Sequence, residues 1–278
     1  MRIMKNKHFN IVLLGVGANG SHFLRSLLQD MANYKSKGLS VRLVIADGDQ
    51  VEAKNIANQL FDQDDVGEYK VQALAERYGQ HYGIDILAYR EYVTDIETLE
   101  KLFDDNEGQR ILIGCLDNNR TRQLLHEFFE TQDDLIYIDA GVEGVIMKEE
   151  IKKMPECTHM TQDQINQMIM GSGFSGQVVT GIKYRGEEVL APLCTVYPNV
   201  LSDQESVFPT QTCAETLNNP QRLETNKMAA QMLNIVMNNL FHTGDVYQHE
   251  IQFHARYGTS VANMISMKQE KYFKEISK

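Results

Sequence analysis

The chain has 278 residues, 42% of them hydrophobic and 23% charged, with 27 Lys and Arg against 38 Asp and Glu for a formal net charge of −11. This composition is that of a globular protein, and it excludes a disordered chain, a collagen-like repeat and a disulfide-dense miniature. The acidic balance argues against broad nucleic-acid or anionic-membrane binding, which needs clustered positive charge, and no apolar run is long enough to span a bilayer.

The first segment is basic but holds only a very short apolar run before a glycine-rich turn, so it reads as a strand and not as a signal peptide. Asn10–Leu14 is the buried-strand run. Asn19–Tyr34 comes next, with Phe23, Leu24, Leu27, Leu28 and Met31 on a helical period. Val41–Ala46 predicts a second strand and Lys70–Tyr82 a second helix. Ile84–Arg90 and Ile111–Gly114 predict the third and fourth strands, Asn118–Glu130 a helix, and Leu135–Asp139 a fifth strand. Strands that are apolar throughout, alternating with helices, imply a Rossmann-like, mostly parallel α/β sheet with helices on both faces. Lys148–Ser175, rich in Met, Gln and Gly, reads as an irregular or helical insertion, and its Met154–Met170 stretch fits a packed insertion better than a partner-binding surface. Gly176–Tyr184 and Glu188–Leu190 flank an Arg-Gly turn, a hairpin signal. Pro192–Thr212 is turn-rich, Pro220–His242 a long helix, and Asp245–Phe253 with Tyr257–Met264 a closing antiparallel pair. No linker is visible. The expectation is one domain over residues 1–278, with a nucleotide-binding half at about 9–143, an insertion at about 148–175 and a C-terminal part at about 176–278.

Cys115, Cys157, Cys194 and Cys213 form no CxxC pair, and His242, His249 and His254 have no metal spacing. Free thiols in a cytoplasmic protein without structural zinc are expected. The chemistry concentrates elsewhere. Gly15-x-Gly17-x-x-Gly20 lies between the first strand and the first helix, where glycines let the backbone approach a phosphate and the helix N-terminus faces it with free N–H groups. The second strand ends in Asp47-Gly48-Asp49, which places an acid to bind ribose hydroxyls or to cap the next helix. These two features alone fit an NAD-type unit and other nucleotide binders equally.

The longer segment around this acidic turn carries a resemblance. The stretch ADGDQVEAKNIANQLFDQDDVGEYK resembles the signature of the ThiF/MoeB superfamily, the ubiquitin-activating-enzyme-like adenylyltransferases, whose members read D-x-D-x-V-x-x-x-N-x-x-R-Q and then V-G-x-x-K. The matching residues are Asp47, Asp49, Val51, Asn55, Gln59, Val66, Gly67 and Lys70. GCLDNNRTR is similar to the family's D-N-x-x-x-R and supplies Asp117, Asn118 and Arg122. The resemblance covers about residues 9–143. The second half, through GQVVTG, LAPLCTVYPNVL and TCAETL, more loosely resembles the ThiF-like proteins of bacterial PRTRC gene clusters, which sit on plasmids and other mobile elements.

The resemblance implies ATP-dependent adenylation of the C-terminal carboxylate of a ubiquitin-like or sulfur-carrier protein ending in glycine. It assigns Gly15, Gly17 and Gly20 to the nucleotide, Asp47 to ribose, Asn55 and Lys70 to the phosphates, and Asp117 to Mg²⁺. Asp49, Asn58, Gln59 and Asn118 belong to the same motifs. It also implies a homodimer, with an N-terminal arginine crossing between subunits, for which Arg2 is available. Cys213 stands where relatives carry a cysteine that accepts the activated acyl group, as a thiolate nucleophile. Burial as an inert thiol is the alternative. One departure is plain: Asn58 occupies the place of the family arginine, whose charge it cannot supply, with Lys54 and Arg25 near in sequence. A second expectation is therefore an ATP-binding partner protein that has lost catalysis. An NAD-dependent oxidoreductase is disfavoured, because Lys70 and Asp117 would then have no role.

Overall fold

The apolar runs at residues 11–14, 111–114 and 135–140 are buried on both faces, and this dictates the architecture. The computed structural model describes Met1 and residues 8–103, 108–157, 159–209 and 220–276. In it β1 (His8–Leu14), β2 (Ser40–Ala46), β3 (Ile86–Tyr89), β4 (Gln109–Gly114) and β5 (Leu135–Val142) run parallel in the order β3-β2-β1-β4-β5. Along β1, Phe9, Ile11 and Leu13 face one layer and Val12 and Leu14 the other. The first layer is built from α1 (Ala18–Lys35) and α2 (Lys70–Tyr82), the second from α3 (Ile96–Leu102) and α4 (Asn119–Thr131). The strand order reverses at β1, so the carboxyl ends of β1 and β4 flank a topological switch point, where open α/β sheets bind ligands.

The insertion contains α5 (Lys148–Ile151) and α6 (Gln162–Gly171). The sheet then continues with antiparallel strands: β6 (Ser175–Tyr184) pairs β5, β7 (Glu187–Leu190) and β8 (Gln248–His254), and β9 (Thr259–Met264) closes the edge of a nine-stranded sheet. Arg185 and Gly186, both at positive φ (52° and 79°), make the two-residue β6–β7 turn. The turn-rich stretch holds two short helices, α7 (Leu193–Val196) and α8 (Asn199–Ser202). Gln123 of α4 latches this stretch by donating to the carbonyls of Val200 (2.9 Å) and Asp203 (2.8 Å). The long helix α9 (Leu223–Thr243) lies along α1, with Phe241 against Tyr34 at one end. It buries Leu233, Val236, Met237 and Leu240 in the first layer.

Besides α7 and α8, two further helices among the described residues go beyond the sequence reading. The first is α3, capped by Asp95, whose carboxylate accepts from the N–H of Thr98 at 2.7 Å. The second is α10 (Met267–Ile276), which buries only Phe273, packed on Tyr184 at 5.0 Å. Cys115, Cys157 and Cys194 are buried. Burial pushes the Cys115 thiol up and takes Cys194 to about 12, so neither is a thiolate at neutral pH. Cys213 and Arg2 lie outside the described residues.

Candidate functional site

The glycine turn is fixed by close backbone approach. Gly15 has φ of +83°, and a Cβ there would sit 2.5 Å from the carbonyl oxygen of Cys115 at the end of β4. A Cβ at Gly20 would run into the carbonyl of Gly15 itself. Gly17 is different. It is the N-cap of α1, with no capping side chain and no acid in the first helical turn. A Cβ at Gly17 would meet only the Gln59 amide nitrogen, at 3.9 Å. The turn therefore presents open space in front of uncapped backbone N–H groups, the arrangement that receives an anion.

Asp47 ties this turn to the loop after β2. Its Oδ2 accepts the N–H of Val16 at 2.9 Å and its Oδ1 accepts that of Asp49 at 2.9 Å. Asp49 in turn accepts Lys70 Nζ at 2.7 Å on Oδ2 and the Tyr92 hydroxyl on Oδ1. Lys70 is the first residue of α2, where the helix dipole disfavours a cation, and it is only 6% exposed. Burial depresses its pKa, but Asp47 and Asp49 outweigh that and hold the ammonium above its ordinary range. Burial also pulls Asp49 upward, yet Lys70 and the hydrogen bonds leave it below the usual carboxylate value. Asp47 ends higher, because burial dominates over the attraction of Lys70. Asp117 adds a weaker, longer-range attraction at both Lys70 and Tyr92.

The other motif residues take unequal parts. Asn55 is buried and accepts the N–H of Glu52 at 2.8 Å, so it braces the short 3-10 turn Ala53–Ala57. Asn58 Oδ1 and Gln59 Oε1 are buried without a hydrogen-bond partner among the described residues, as is Asn19 Oδ1 on the first turn of α1. Lys54 pairs with Glu52 at 3.0 Å with both side chains largely exposed, and Arg25 is exposed on α1. Lys227 of α9 and Arg25 bring positive charge to the neighbouring His22. After burial, they are what lowers the pKa of His22, whose ring bonds the backbone of Asn58.

At the end of β4, Asn118 and not Asp117 is the N-cap of α4, its Oδ1 accepting the N–H of Thr121 at 2.8 Å. Asp117 is thereby left exposed, with no hydrogen bond among the described residues. Its place is set from behind by Arg122. That guanidinium donates to the Leu116 carbonyl at 2.8 Å and pairs with the fully buried Asp139 at 3.1 Å. Among the described residues no group of three His, Cys, Asp or Glu side chains converges to hold a metal by itself. Tyr92 is the participant that sequence reasoning missed. It lies beyond β3 in a loop that carries no motif, and no spacing links it to Asp49.

The sequence profile of the ThiF family matches residues 3–235 of the chain. No curated protein matches it by sequence. Among solved structures, selenomethionine-labelled PaaA shares the fold at a TM-score of 0.56 and 16% identity, over 92% of this chain and 64% of PaaA. Escherichia coli MccB with ATP gives 0.57 at 13% identity, over 92% and 64%, and MccB with AMPCPP and MccA gives the same values. The chain thus spans 64% of the length of these proteins. A profile that runs from ahead of β1 into α9, over the Rossmann-like sheet found here, fixes the affiliation: the chain belongs to the ThiF family.

Proposed function

We propose that the chain is an ATP-dependent adenylyltransferase that activates the C-terminal carboxylate of a peptide or small carrier protein. A ubiquitin-like or sulfur-carrier protein ending in glycine is the class implied by its motifs. The observation that carries this reading is the buried Lys70, held charged by Asp47 and Asp49, beside uncapped N–H groups at the switch point. In the reaction a carboxylate oxygen bonds to the α-phosphorus of ATP and the bond to the bridging oxygen breaks. Pyrophosphate leaves with that electron pair. An anion must approach a polyanion, so fixed positive charge and backbone dipoles lower the barrier. Lys70 and the first turn of α1 supply both. Asp47 keeps unused lone pairs for ribose hydroxyls, since a carboxylate offers about four acceptor sites. Asp117, a single free carboxylate, suits Mg²⁺, which takes one or two carboxylates together with phosphate oxygens and offsets their charge. The structures of MccB with ATP, and with AMPCPP and MccA, support a nucleotide and a peptide as the two substrates. A cytoplasmic homodimer of one adenylation domain completes the proposal.

The second reading, an ATP-binding protein without catalysis, is favoured by Asn58, whose Oδ1 is buried and unpartnered among the described residues where the family carries arginine. ATP–pyrophosphate exchange with Gly-Gly-ending small proteins from the same gene cluster separates the two. Exchange that disappears in Asp117→Ala, with unchanged thermal stability, is expected. ATP binding by calorimetry without any exchange would establish the second reading instead.

A further inference from the structure

Tyr92 stands between two features of the site that no motif connects. Its ring lies flat against Gly48: a Cβ at Gly48 would approach ring carbons Cγ and Cδ2 to 2.8 Å and Cδ1 to 2.9 Å. This close approach is what requires glycine in the middle of the Asp47-Gly48-Asp49 turn. The ring carries its hydroxyl to Asp49 Oδ1, while the other oxygen of the same carboxylate accepts Lys70 Nζ at 2.7 Å. Lys70 is attracted by two carboxylates, Asp47 and Asp49, and its hydrogen bond goes to Asp49. Nothing in Lys70 itself selects between them, because an ammonium on a four-carbon stem is a mobile point charge.

We propose that Tyr92 is a positioning residue for ATP: by fixing the Asp49 carboxylate from its far side, it holds Lys70 on Asp49 and in place for the phosphates. This rests on the adenylyltransferase reading of the same site. Burial and the bond to Asp49 push the phenol pKa well up, so the hydroxyl stays a donor throughout the working pH range. Without it, Asp49 can rotate and Lys70 can move to Asp47, which already serves two backbone amides.

The test is Tyr92→Phe, which keeps the ring on Gly48 and removes only the hydroxyl. ATP affinity by calorimetry should fall on the order of tenfold, the scale of one charge-assisted hydrogen bond lost at one remove, with the thermal midpoint unchanged. In pyrophosphate exchange the loss should appear in KM for ATP more than in kcat. Asp49→Asn should weaken ATP at least as much, and Tyr92→Phe added to Asp49→Asn should cost nothing further, because both act through one carboxylate. Wild-type affinity in Tyr92→Phe, or full additivity of the pair, would overturn the proposal while leaving the adenylyltransferase reading intact. Failure of the wild-type protein to bind ATP at all would overturn both.

Discussion

Replacing Arg122 by methionine tests whether the buried pair behind Asp117 holds the switch point together. The side chain of Arg122 is 12% exposed and that of Asp139 is 0% exposed. The guanidinium also reaches the carbonyls of Leu116 (2.8 Å) and Ala140 (3.3 Å), while Tyr137 donates its hydroxyl to Asp139 at 2.9 Å. Methionine fills the space but leaves Asp139 with Tyr137 alone. Breaking a buried pair in this way costs about 3–5 kcal/mol. With an unfolding entropy of about 2.1 cal/mol/K per residue, a chain of this length has about 0.6 kcal/mol/K, so the midpoint should fall by about 5–9 °C. The fall should depend on pH, and Asp139 sets its sign. Burial already raises that carboxyl above its ordinary value against the pull of Arg122, and removing Arg122 raises it further. A folded-state pKa above the unfolded one leaves stability intact at low pH and erodes it as pH rises. The deficit should therefore be smaller at pH 5 than at pH 8, and Asp139→Asn in the Arg122→Met background should recover part of it. Thermal unfolding monitored by circular dichroism at the two pH values measures this. A fall below about 2 °C at pH 8, or a deficit that grows on acidification, would refute the account of Arg122 as the partner that compensates the buried Asp139.

Asn58→Arg should leave pyrophosphate exchange unchanged or slower, because Lys227 and Arg25 already bring positive charge to the neighbouring His22. A large gain in ATP affinity, starting from undetectable exchange, would instead favour the non-catalytic reading. Gly20→Ala should cost about 1–3 kcal/mol of stability, the range for overpacking, since its Cβ meets backbone. Gly17→Ala should cost less stability than Gly20→Ala, limited to the poorer fit of alanine at an N-cap, and yet weaken ATP binding, because its Cβ enters open space in front of α1. Equal loss of stability in the two alanine variants would show that the turn is packed and not open.

The parts of the fold that could be read in advance are those where burial writes a period. Phe23, Leu24, Leu27 and Leu28 repeat at helical spacing and are all fully buried. The helix beginning at Lys70 ends where Gly83 turns left-handed at φ of 63°. The seven residues of α3 are too few to establish a period, and their signal was a single cap, Asp95 with Thr98. The residues of α10 leave one side chain, Phe273, to mark a buried face. At the site, Asp47, Asp49, Lys70 and Asp117 converge because each sits at a strand end or helix start, which sequence order can place. Which residue caps and which stays free could not be read. Asn118 takes the N-terminus of α4 and frees Asp117, a choice made by backbone angles and not by residue type. Tyr92 meets Asp49 across 43 residues, through packing on Gly48 that no local pattern encodes.

The change of strand direction at β5 has a practical consequence. All of Leu135–Gly141 is buried, and β5 is bonded along one side to parallel β4 and along the other to antiparallel β6. A fragment truncated after residue 143 would retain every nucleotide motif and expose this apolar strand as a bare edge, the template on which chains add to one another. The natural boundary is of another kind: β9 buries none of its six residues and mixes Thr, Ser and Asn among its apolar side chains. The antiparallel half therefore acts as a guard for the parallel half. Expression of the motif-bearing fragment by itself should yield aggregates even though its own helices and loops are complete.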